Sequence, residues 1–174
     1  MNKAIFFDRD GVVNYRLVKD YVKSADEFRF VADFFDFFRK IKDAGYLAIL
    51  VTNQQSVGKG IMTEAELCGI FDYMQREIRK ATGFAFDDIY YCTALSSSGS
   101  PDRKPNPGML IKAIEKWDID REQSWMIGDR GSDAQAGRNA GVRSIMIGNS
   151  PEDEKSLADV CYVNLDAAWE SFKS

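Results

Sequence analysis

The stretch "KAIFFDRDGVVN", residues 3–14, joins an apolar segment to two closely spaced carboxylates. Residues 3–7 form a short continuous apolar run, which is typical of a buried parallel strand. Asp8 and Asp10 follow this run directly and flank Arg9. Because like charges this close repel each other and burial of either one is costly, the pair requires a nearby cation or a chemical role.

Apolar runs and helical patterns alternate along the rest of the chain. The predicted strands cover residues 3–7, 46–51, 88–93, 124–129 and 143–148, with a small further strand at 160–163. Helical spacing predicts helices at 33–45, from Thr63, from Asn106 to Trp117, before Gly141 and at 165–172. The alternation predicts an α/β fold. We expect a doubly wound, Rossmann-like parallel sheet of about five strands, in one domain over residues 1–174 without a separate cap domain.

Two short patterns predict how helices begin. In "TEAE", Thr63 and Glu66 have the spacing of a capping box, in which each side chain bonds the backbone N–H of the other residue. Ser132 and Gln135 have the same spacing and predict a second capping box for the helix that ends at Gly141.

Composition limits the chemistry that the chain can perform. It has 174 residues, a formal net charge of −4 and no histidine. Missing histidine excludes mechanisms with a histidine base, nucleophile or metal ligand. The acidic balance and the lack of a basic patch argue against nucleic acid as a partner. Because no apolar run could cross a bilayer and no secretory segment begins the sequence, we expect a cytoplasmic protein without membrane contact.

The three cysteines, Cys68, Cys92 and Cys161, have no CxxC spacing and are too few for a disulfide framework. None is followed by an arginine six positions later, which excludes the thiolate loop of cysteine phosphatases. Each lies in an apolar stretch, so we predict that all three are small core residues.

Polar residues cluster where the predicted strands end. In a doubly wound sheet, ligands bind beyond the carboxyl ends of the strands. The residues expected there are Asp8, Asp10, Thr52, Asn53, Arg103, Lys104, Asp129 and Asp133. Each alone is typical of a turn, a helix cap or a solvated loop, but their convergence on one edge favours a functional site. Asp8, Asp10 and Asp129 can hold a hard divalent cation, Mg²⁺, which would relieve the repulsion.

The order of these motifs resembles the haloacid dehalogenase superfamily of phosphatases. Within it, the chain is similar to the branch of the heptose-bisphosphate and histidinol-phosphate phosphatases. The matching stretches are "FFDRDGVVN", "DYV", "VTNQQSVGKGIMTEAEL", "IYYC", "RKPNPGML" and "MIGDRGSDAQAG", which together span almost the whole chain.

The resemblance implies roles for the matching positions. Asp8 would be the nucleophile that forms an aspartyl-phosphate, and Asp10 would protonate the leaving oxygen and then activate water. Strand alternation would point both carboxylates the same way, with Arg9 opposite. Asp8, the Asp10 carbonyl and Asp129 would hold Mg²⁺. The residues expected to bind substrate are Thr52, Asn53, Gln54, Lys59, Arg103 and Lys104.

One departure concerns zinc. The branch often carries a loop with three cysteines and a histidine before the "RKP" motif. Here that stretch reads "YYCTALSSSGSPDRKP", residues 90–105, and only Cys92 remains. We therefore expect no zinc and a more mobile loop.

The resemblance favours a small phosphorylated metabolite as substrate. The first candidate is D-glycero-D-manno-heptose 1,7-bisphosphate, from which the 7-phosphate would be removed. A second phosphate needs its own cation, for which Arg103 and Lys59 are candidates, although Lys59 is equally typical of a solvated loop charge. The alternative substrate is histidinol phosphate. A nucleic-acid 3′-phosphatase and a phosphate-accepting receiver domain fit less well. We expect a monomer in which residues 14–30 at most shield an open site.

Overall fold

The computed structural model describes residues 1–173 and contains a six-stranded sheet. The strands are β1 (Ala4–Phe7), β2 (Leu47–Asn53), β3 (Asp88–Cys92), β4 (Trp125–Gly128), β5 (Arg143–Ile147) and β6 (Val160–Tyr162). They lie in the order β3-β2-β1-β4-β5-β6, and every neighbouring pair is parallel. The predicted doubly wound α/β fold is confirmed. The sheet has six strands rather than about five because the small strand near the carboxyl terminus pairs with β5.

Helices pack on both faces of the sheet. They are α1 (Phe34–Asp43), α2 (Gln55–Gly58), α3 (Glu64–Thr82), α4 (Gly108–Trp117), α5 (Gly131–Ala140), α6 (Glu152–Lys155) and α7 (Leu165–Ala168), with 3₁₀ turns at Ala25–Glu27 and Trp169–Phe172. One core lies beneath α1 and α3, and a second lies beneath α4 and α5. Within residues 1–173, no helix has both the length and the apolar character needed to cross a membrane.

The central strand β1 contributes to both cores. Ile5 and Phe7 belong to the core beneath α1 and α3, whereas Ala4 and Phe6 belong to the core beneath α4 and α5. All four side chains are fully buried. A strand covered on both faces has no solvent side, which explains its continuous apolar sequence.

An aromatic cluster fixes the end of β1. The Phe7 ring packs against Phe34, Phe38 and Phe86, with ring centroids 6.3, 6.1 and 5.5 Å apart. Such edge-to-face and tilted contacts stabilise aromatic cores beyond the burial of their area. The residue that precedes Asp8 is therefore held rigidly.

The two predicted capping boxes have different outcomes. Thr63 and Glu66 form theirs as predicted: the Thr63 hydroxyl accepts from the Glu66 N–H, and the Glu66 carboxylate accepts from the Thr63 N–H. The prediction for Ser132 and Gln135 is wrong, because both lie inside α5. The Asp133 carboxylate instead accepts at 3.1 Å from the N–H of Arg130, the residue just before α5.

The cysteine prediction holds for one residue of three. Cys92 is buried at the end of β3, whereas Cys68 and Cys161 are exposed. Cys68 lies beside the buried stripe of α3 rather than in it, and Cys161 lies on the edge strand β6. An apolar sequence neighbourhood did not reveal which face these two residues occupy.

Candidate active site

The polar residues converge where the strand order changes direction. Strand β1 lies between β2 and β4, so the chain leaves β1 toward one side of the sheet and later returns on the other. Asp8 follows β1, and its N–H donates to the Ile127 carbonyl of β4 at 3.0 Å. Asp129 follows β4 directly. Crevices at such switch points are the usual ligand sites of doubly wound sheets.

The Lys104 ammonium is buried between two carboxylates. Its Nζ lies 2.8 Å from Asp8 Oδ1 and 2.7 Å from Asp133 Oδ1, and it also donates to the Val51 carbonyl at 2.8 Å. Asn53 holds the Lys104 backbone with two reciprocal hydrogen bonds of 3.0 Å. Although burial acts in the opposite direction, the two carboxylates raise the pKa of Lys104. The lysine is therefore a fixed positive charge.

Asp8 carries a perturbed carboxylate. Burial and, next, the Asp133 carboxylate raise the pKa of Asp8 from 3.8 to about 6, although Lys104 acts against this shift. Two carboxylates share one ammonium here, so the charge on Asp8 is only partly compensated. Perturbed carboxylates in a cleft are typical of functional sites.

Asp10 is held by three neighbours. Its carboxylate accepts from Arg9 Nη2 at 2.9 Å, from Asn14 Nδ2 at 3.0 Å and from Gln54 Nε2 at 3.0 Å. Burial alone would raise the pKa of Asp10, but these donors, Arg9 foremost, lower it. Arg9 is buried and, unlike Asp8 and Asp10, is not among the residues that line the cavity, but its guanidinium still reaches the Asp10 carboxylate.

Asp129 is paired with a residue outside the predicted set. Arg16 Nη2 lies 2.8 Å from Asp129 Oδ1, and Arg16 Nε lies 3.1 Å from Asp129 Oδ2. Burial raises the pKa of Asp129, and Arg16 opposes this. Gly11, at φ +91°, lies so close to the Asp129 carboxylate that a Cβ would collide with it, which explains the glycine after Asp10.

The oxygen donors fit a hard divalent cation. In the described part of the chain, Asp8, Asp129 and Asp133 form a group whose ligand atoms lie within 4.8 Å of one another. Asp133 has both oxygens engaged, one by Lys104 and one by the Arg130 N–H. Asp129 likewise has both oxygens engaged, by Arg16, and the Asp10 carbonyl accepts from the same guanidinium at 2.9 Å. Oxygen atoms of this kind, already gathered around one cation, are the ligands that Mg²⁺ prefers.

The site lines a cavity of about 570 Å³. Of the predicted substrate contacts, its wall includes Asn53, Gln54, Arg103 and Lys104. Thr52 is fully buried, and its hydroxyl accepts from Gln54 Nε2 at 2.9 Å. Thr52 therefore positions a residue of the wall in this structure.

Lys59 reaches the cavity only through another residue. Its ammonium donates to the Tyr21 hydroxyl at 2.9 Å, and Gln55 Nε2 donates to the same oxygen at 3.1 Å. Arg103 Nη2 in turn contacts Gln55 Oε1 at 3.4 Å. Tyr21, Gln55 and Arg103 line the cavity, so these four residues form one polar rim.

Sequence reasoning missed Arg16, Tyr21 and Gln55. The stretch "DYV", residues 20–22, was part of the resemblance and was a signal for Tyr21. Arg16 lies in the irregular segment 14–30, where no periodic pattern indicates direction. Residues 16, 17 and 20–22 of that segment line the cavity, in agreement with the expected shielding of the site.

The fold and site define a class of hydrolase. The sheet is doubly wound and parallel, aspartates follow two adjacent strands, and a lysine lies between carboxylates. This combination is typical of haloacid dehalogenase-type enzymes. A family model described as HAD-hydrolase-like matches residues 102–165.

Sequence relatives narrow the class. A heptose-1,7-bisphosphate 7-phosphatase from Helicobacter pylori is 36% identical over 146 residues, which cover 84% of this chain and 83% of the relative. One from Campylobacter jejuni is 38% identical over 152 residues, or 87% and 86% of the two chains. The chain belongs to the haloacid dehalogenase-like phosphatases, in the family of the heptose-1,7-bisphosphate phosphatases.

A solved structure extends the similarity over the whole fold. The D,D-heptose 1,7-bisphosphate phosphatase from B. bronchiseptica, complexed with magnesium and phosphate, superposes with a TM-score of 0.85. It is 30% identical, and the match covers 98% of this chain and 97% of that one.

The Asp8 charge is expected to reduce the stability of the metal-free protein. Because the pKa of Asp8 is raised to about 6, the folded chain retains this proton at higher pH than the unfolded chain. Ionised Asp8 therefore costs stability above pH 6, and the cost vanishes as the pH falls below 4. In chelator, Asp8→Asn should be more stable than wild type at pH 7.5 by about 1–3 kcal/mol, with no gain at pH 4.

Denaturant unfolding at the two pH values checks this expectation. Asp36→Asn, at an exposed position of α1, is the control and should shift stability by less than about 0.5 kcal/mol at either pH. An Asp8→Asn protein that is less stable than wild type at pH 7.5 would show that Lys104 more than compensates the buried charge.

Proposed function

We propose that this protein removes the 7-phosphate of D-glycero-D-manno-heptose 1,7-bisphosphate through an aspartyl-phosphate on Asp8, with Mg²⁺ as cofactor. The observation that carries the proposal is the Asp8 carboxylate held 2.8 Å from the buried Lys104 ammonium at the floor of the cavity. The named activities of the sequence relatives support the substrate class. They include enzymes named for both the α and the β anomer, so both are candidate substrates.

The reaction takes place in two displacements at phosphorus. An Asp8 oxygen attacks the phosphorus atom, and the bond from phosphorus to the sugar oxygen breaks while Asp10 gives that oxygen a proton. In the second step a water attacks the phosphorus of the aspartyl-phosphate, Asp10 takes the water proton, and the Asp8 carboxylate leaves with inorganic phosphate released. A covalent intermediate lets one pocket carry out both halves.

Asp10 must be protonated when the sugar oxygen leaves. In the free site its donors Arg9, Asn14 and Gln54 favour the ionised form. A bound phosphate brings a second negative charge close to Asp10, and like charge raises the pKa of a carboxyl. Substrate binding therefore favours the acid form, and departure of phosphate restores the base form.

Positive charge makes attack by a carboxylate on a phosphate possible. Although burial opposes the charge on Lys104, the adjacent Asp133 and Asp8 carboxylates raise its pKa and keep it charged. Asp8, the Asp10 carbonyl and Asp129 would hold Mg²⁺, which when bound supplies charge stabilisation for the phosphoryl oxygens.

The polar rim suits a second phosphate. Arg103 lines the cavity, and its Nη1 donates to the Ala94 carbonyl at 2.9 Å, which fixes the guanidinium. Lys59 lies on the far side of Tyr21, and hydrogen bonding to Lys59 lowers the pKa of that tyrosine. Two cations at the rim, separate from Lys104 at the floor, favour a bisphosphate over a monophosphate.

Several expectations accompany this proposal. Asp8, Asp129 and Lys104 converge at the edge of a single six-stranded sheet. This convergence supports the view that residues 1–174 act as one domain. The monomeric state, the cytoplasmic location and the independence from zinc stay predictions, as does the lack of nucleic-acid partners. Histidinol phosphate is the substrate to test against.

Substitution of the two strand-end aspartates separates their roles. With Mg²⁺ and the heptose bisphosphate, Asp8→Asn should abolish phosphate release, because a neutral amide is a poor nucleophile. Asp10→Asn should lower kcat by about 10²–10⁴-fold, the usual contribution of a general acid. Since only the Asp10 backbone is proposed to bind the metal, calorimetry should show nearly unchanged Mg²⁺ affinity in Asp10→Asn.

Phosphate release should be measured on both heptose bisphosphate anomers, histidinol phosphate and a nucleotide. The highest kcat/KM on histidinol phosphate would contradict the substrate assignment, and near wild-type turnover by Asp8→Asn would contradict the mechanism.

Arg103 is expected to discriminate in favour of the bisphosphate. Arg103→Ala should reduce kcat/KM for the heptose bisphosphate at least about thirtyfold, or about 2 kcal/mol, while changing a small monophosphate such as p-nitrophenyl phosphate far less. Arg76→Ala, on the exposed surface of α3, serves as the matched control. Equal losses on both substrates would mean that Arg103 serves the reacting phosphate or the loop that carries it.

A further inference from the structure

The Arg16 guanidinium lies among the oxygens that suit a metal ion. Its Nη2 atom is 2.8 Å from Asp129 Oδ1, 2.9 Å from the Asp10 carbonyl oxygen and 3.9 Å from Asp8 Oδ2. Asp8, Asp10 and Asp129 are the same three residues that are proposed to hold Mg²⁺. One side-chain nitrogen thus contacts the whole proposed ligand set.

Two cations cannot share these oxygens. Mg²⁺ binds oxygen at about 2.0–2.1 Å and requires near-octahedral geometry. The guanidinium engages both oxygens of Asp129, one through Nη2 and one through Nε. A cation bound to Asp129 and to the Asp10 carbonyl would meet the Arg16 nitrogen at the same point and repel its charge.

The local charge balance also depends on Arg16. Four carboxylates meet here, those of Asp8, Asp10, Asp129 and Asp133. Lys104 and Arg9 neutralise only part of this charge. Arg16 supplies the remaining local cation in contact with Asp129, and buried carboxylates without such a partner are costly.

Arg16 is able to leave because it belongs to an exposed strap. Its side chain is 37% exposed, against 1% for Arg9 and 2% for Lys104. Residues 16–21 form this strap, which is tied at one end by Arg16 to Asp129 and at the other by Tyr21 to Lys59. Leu17 packs against the core beneath α1 and α3, so it is the exposed Arg16 side chain that can leave Asp129 while the backbone beside it stays in place.

From this geometry we propose that Arg16 is a built-in placeholder cation, which occupies the metal site in the metal-free protein and is displaced from Asp129 when Mg²⁺ binds. Each metal ion must then compete with a tethered cation, so the measured Mg²⁺ affinity is weaker than the intrinsic one. Displacement also removes one of the contacts that hold the strap over the cavity. The inference rests on the proposed metal site.

Calorimetric titration of chelator-treated full-length protein with Mg²⁺ alone tests the competition. Arg16→Gln should bind Mg²⁺ about three- to tenfold more tightly than wild type, because the competing ion pair is gone. Arg16→Lys retains a charge without the two-pronged contact and should lie between the two. Arg130→Gln removes an exposed positive charge next to Asp129 in sequence, and should change the affinity less than about twofold if general electrostatics is minor.

Two further measurements follow Arg16 directly. The Nε–H resonance of Arg16, assigned by its loss in Arg16→Gln, should shift as Mg²⁺ is added to the wild type. Metal-free Arg16→Gln should unfold at a lower temperature than wild type, and saturating Mg²⁺ should remove that difference.

The outcomes are distinguishable. Equal or weaker Mg²⁺ binding by Arg16→Gln would overturn the placeholder role while leaving the metal site standing, and so would equal tightening in Arg130→Gln. If neither wild type nor Arg16→Gln binds Mg²⁺, the proposed metal site itself fails, and the placeholder inference fails with it. Tight binding that appears only in Arg16→Gln would support the inference most strongly.

Discussion

The Lys104 ammonium, buried between the Asp8 and Asp133 carboxylates, is the interaction on which the site depends. It joins the end of β1, the loop before α4 and the first turn of α5. Removing one partner of a buried ion pair typically costs about 3–5 kcal/mol. In this site the larger destabilisation is expected on removal of Lys104, because the Asp8 and Asp133 carboxylates would then face each other without a cation. Loss of the charge on Asp8 alone leaves Lys104 paired with Asp133.

This arrangement concentrates charge where it is useful for chemistry and unfavourable for folding. The aromatic packing around Phe7 and the parallel pairing of β1 with β2 and β4 hold the end of the strand in place. Asp8 is thereby kept in a position that an isolated carboxylate would avoid. Enzymes commonly have active sites whose charged groups lower the stability of the folded protein. A metal ion and a phosphate then complete a charge distribution that the protein alone leaves unbalanced.

Much of the fold and part of the site could be predicted from the sequence. Continuous apolar runs mark parallel strands, and parallel strands bring their carboxyl ends to one edge, so Asp8, Asp129 and Lys104 were predicted together. Arg16 could not be found this way, because its segment has no period and its position depends on long-range contacts. The bond between the Arg9 guanidinium and the Asp10 carboxylate could not be predicted either, because it depends on the turn beyond the end of β1. The sequence pattern predicts a cap at Ser132, whereas the N-cap of α5 is Arg130, whose N–H donates to the Asp133 carboxylate.

The central claim is that Asp8 becomes covalently phosphorylated during turnover. Rapid acid quenching of the enzyme during hydrolysis of the heptose bisphosphate with Mg²⁺, followed by proteolysis and mass spectrometry, tests this directly. The account predicts one phosphoryl group on the peptide that contains Asp8, absent from Asp8→Asn. A phosphoryl group on another residue, or continued turnover with none on any peptide when the Asp8 peptide is fully recovered, would contradict it.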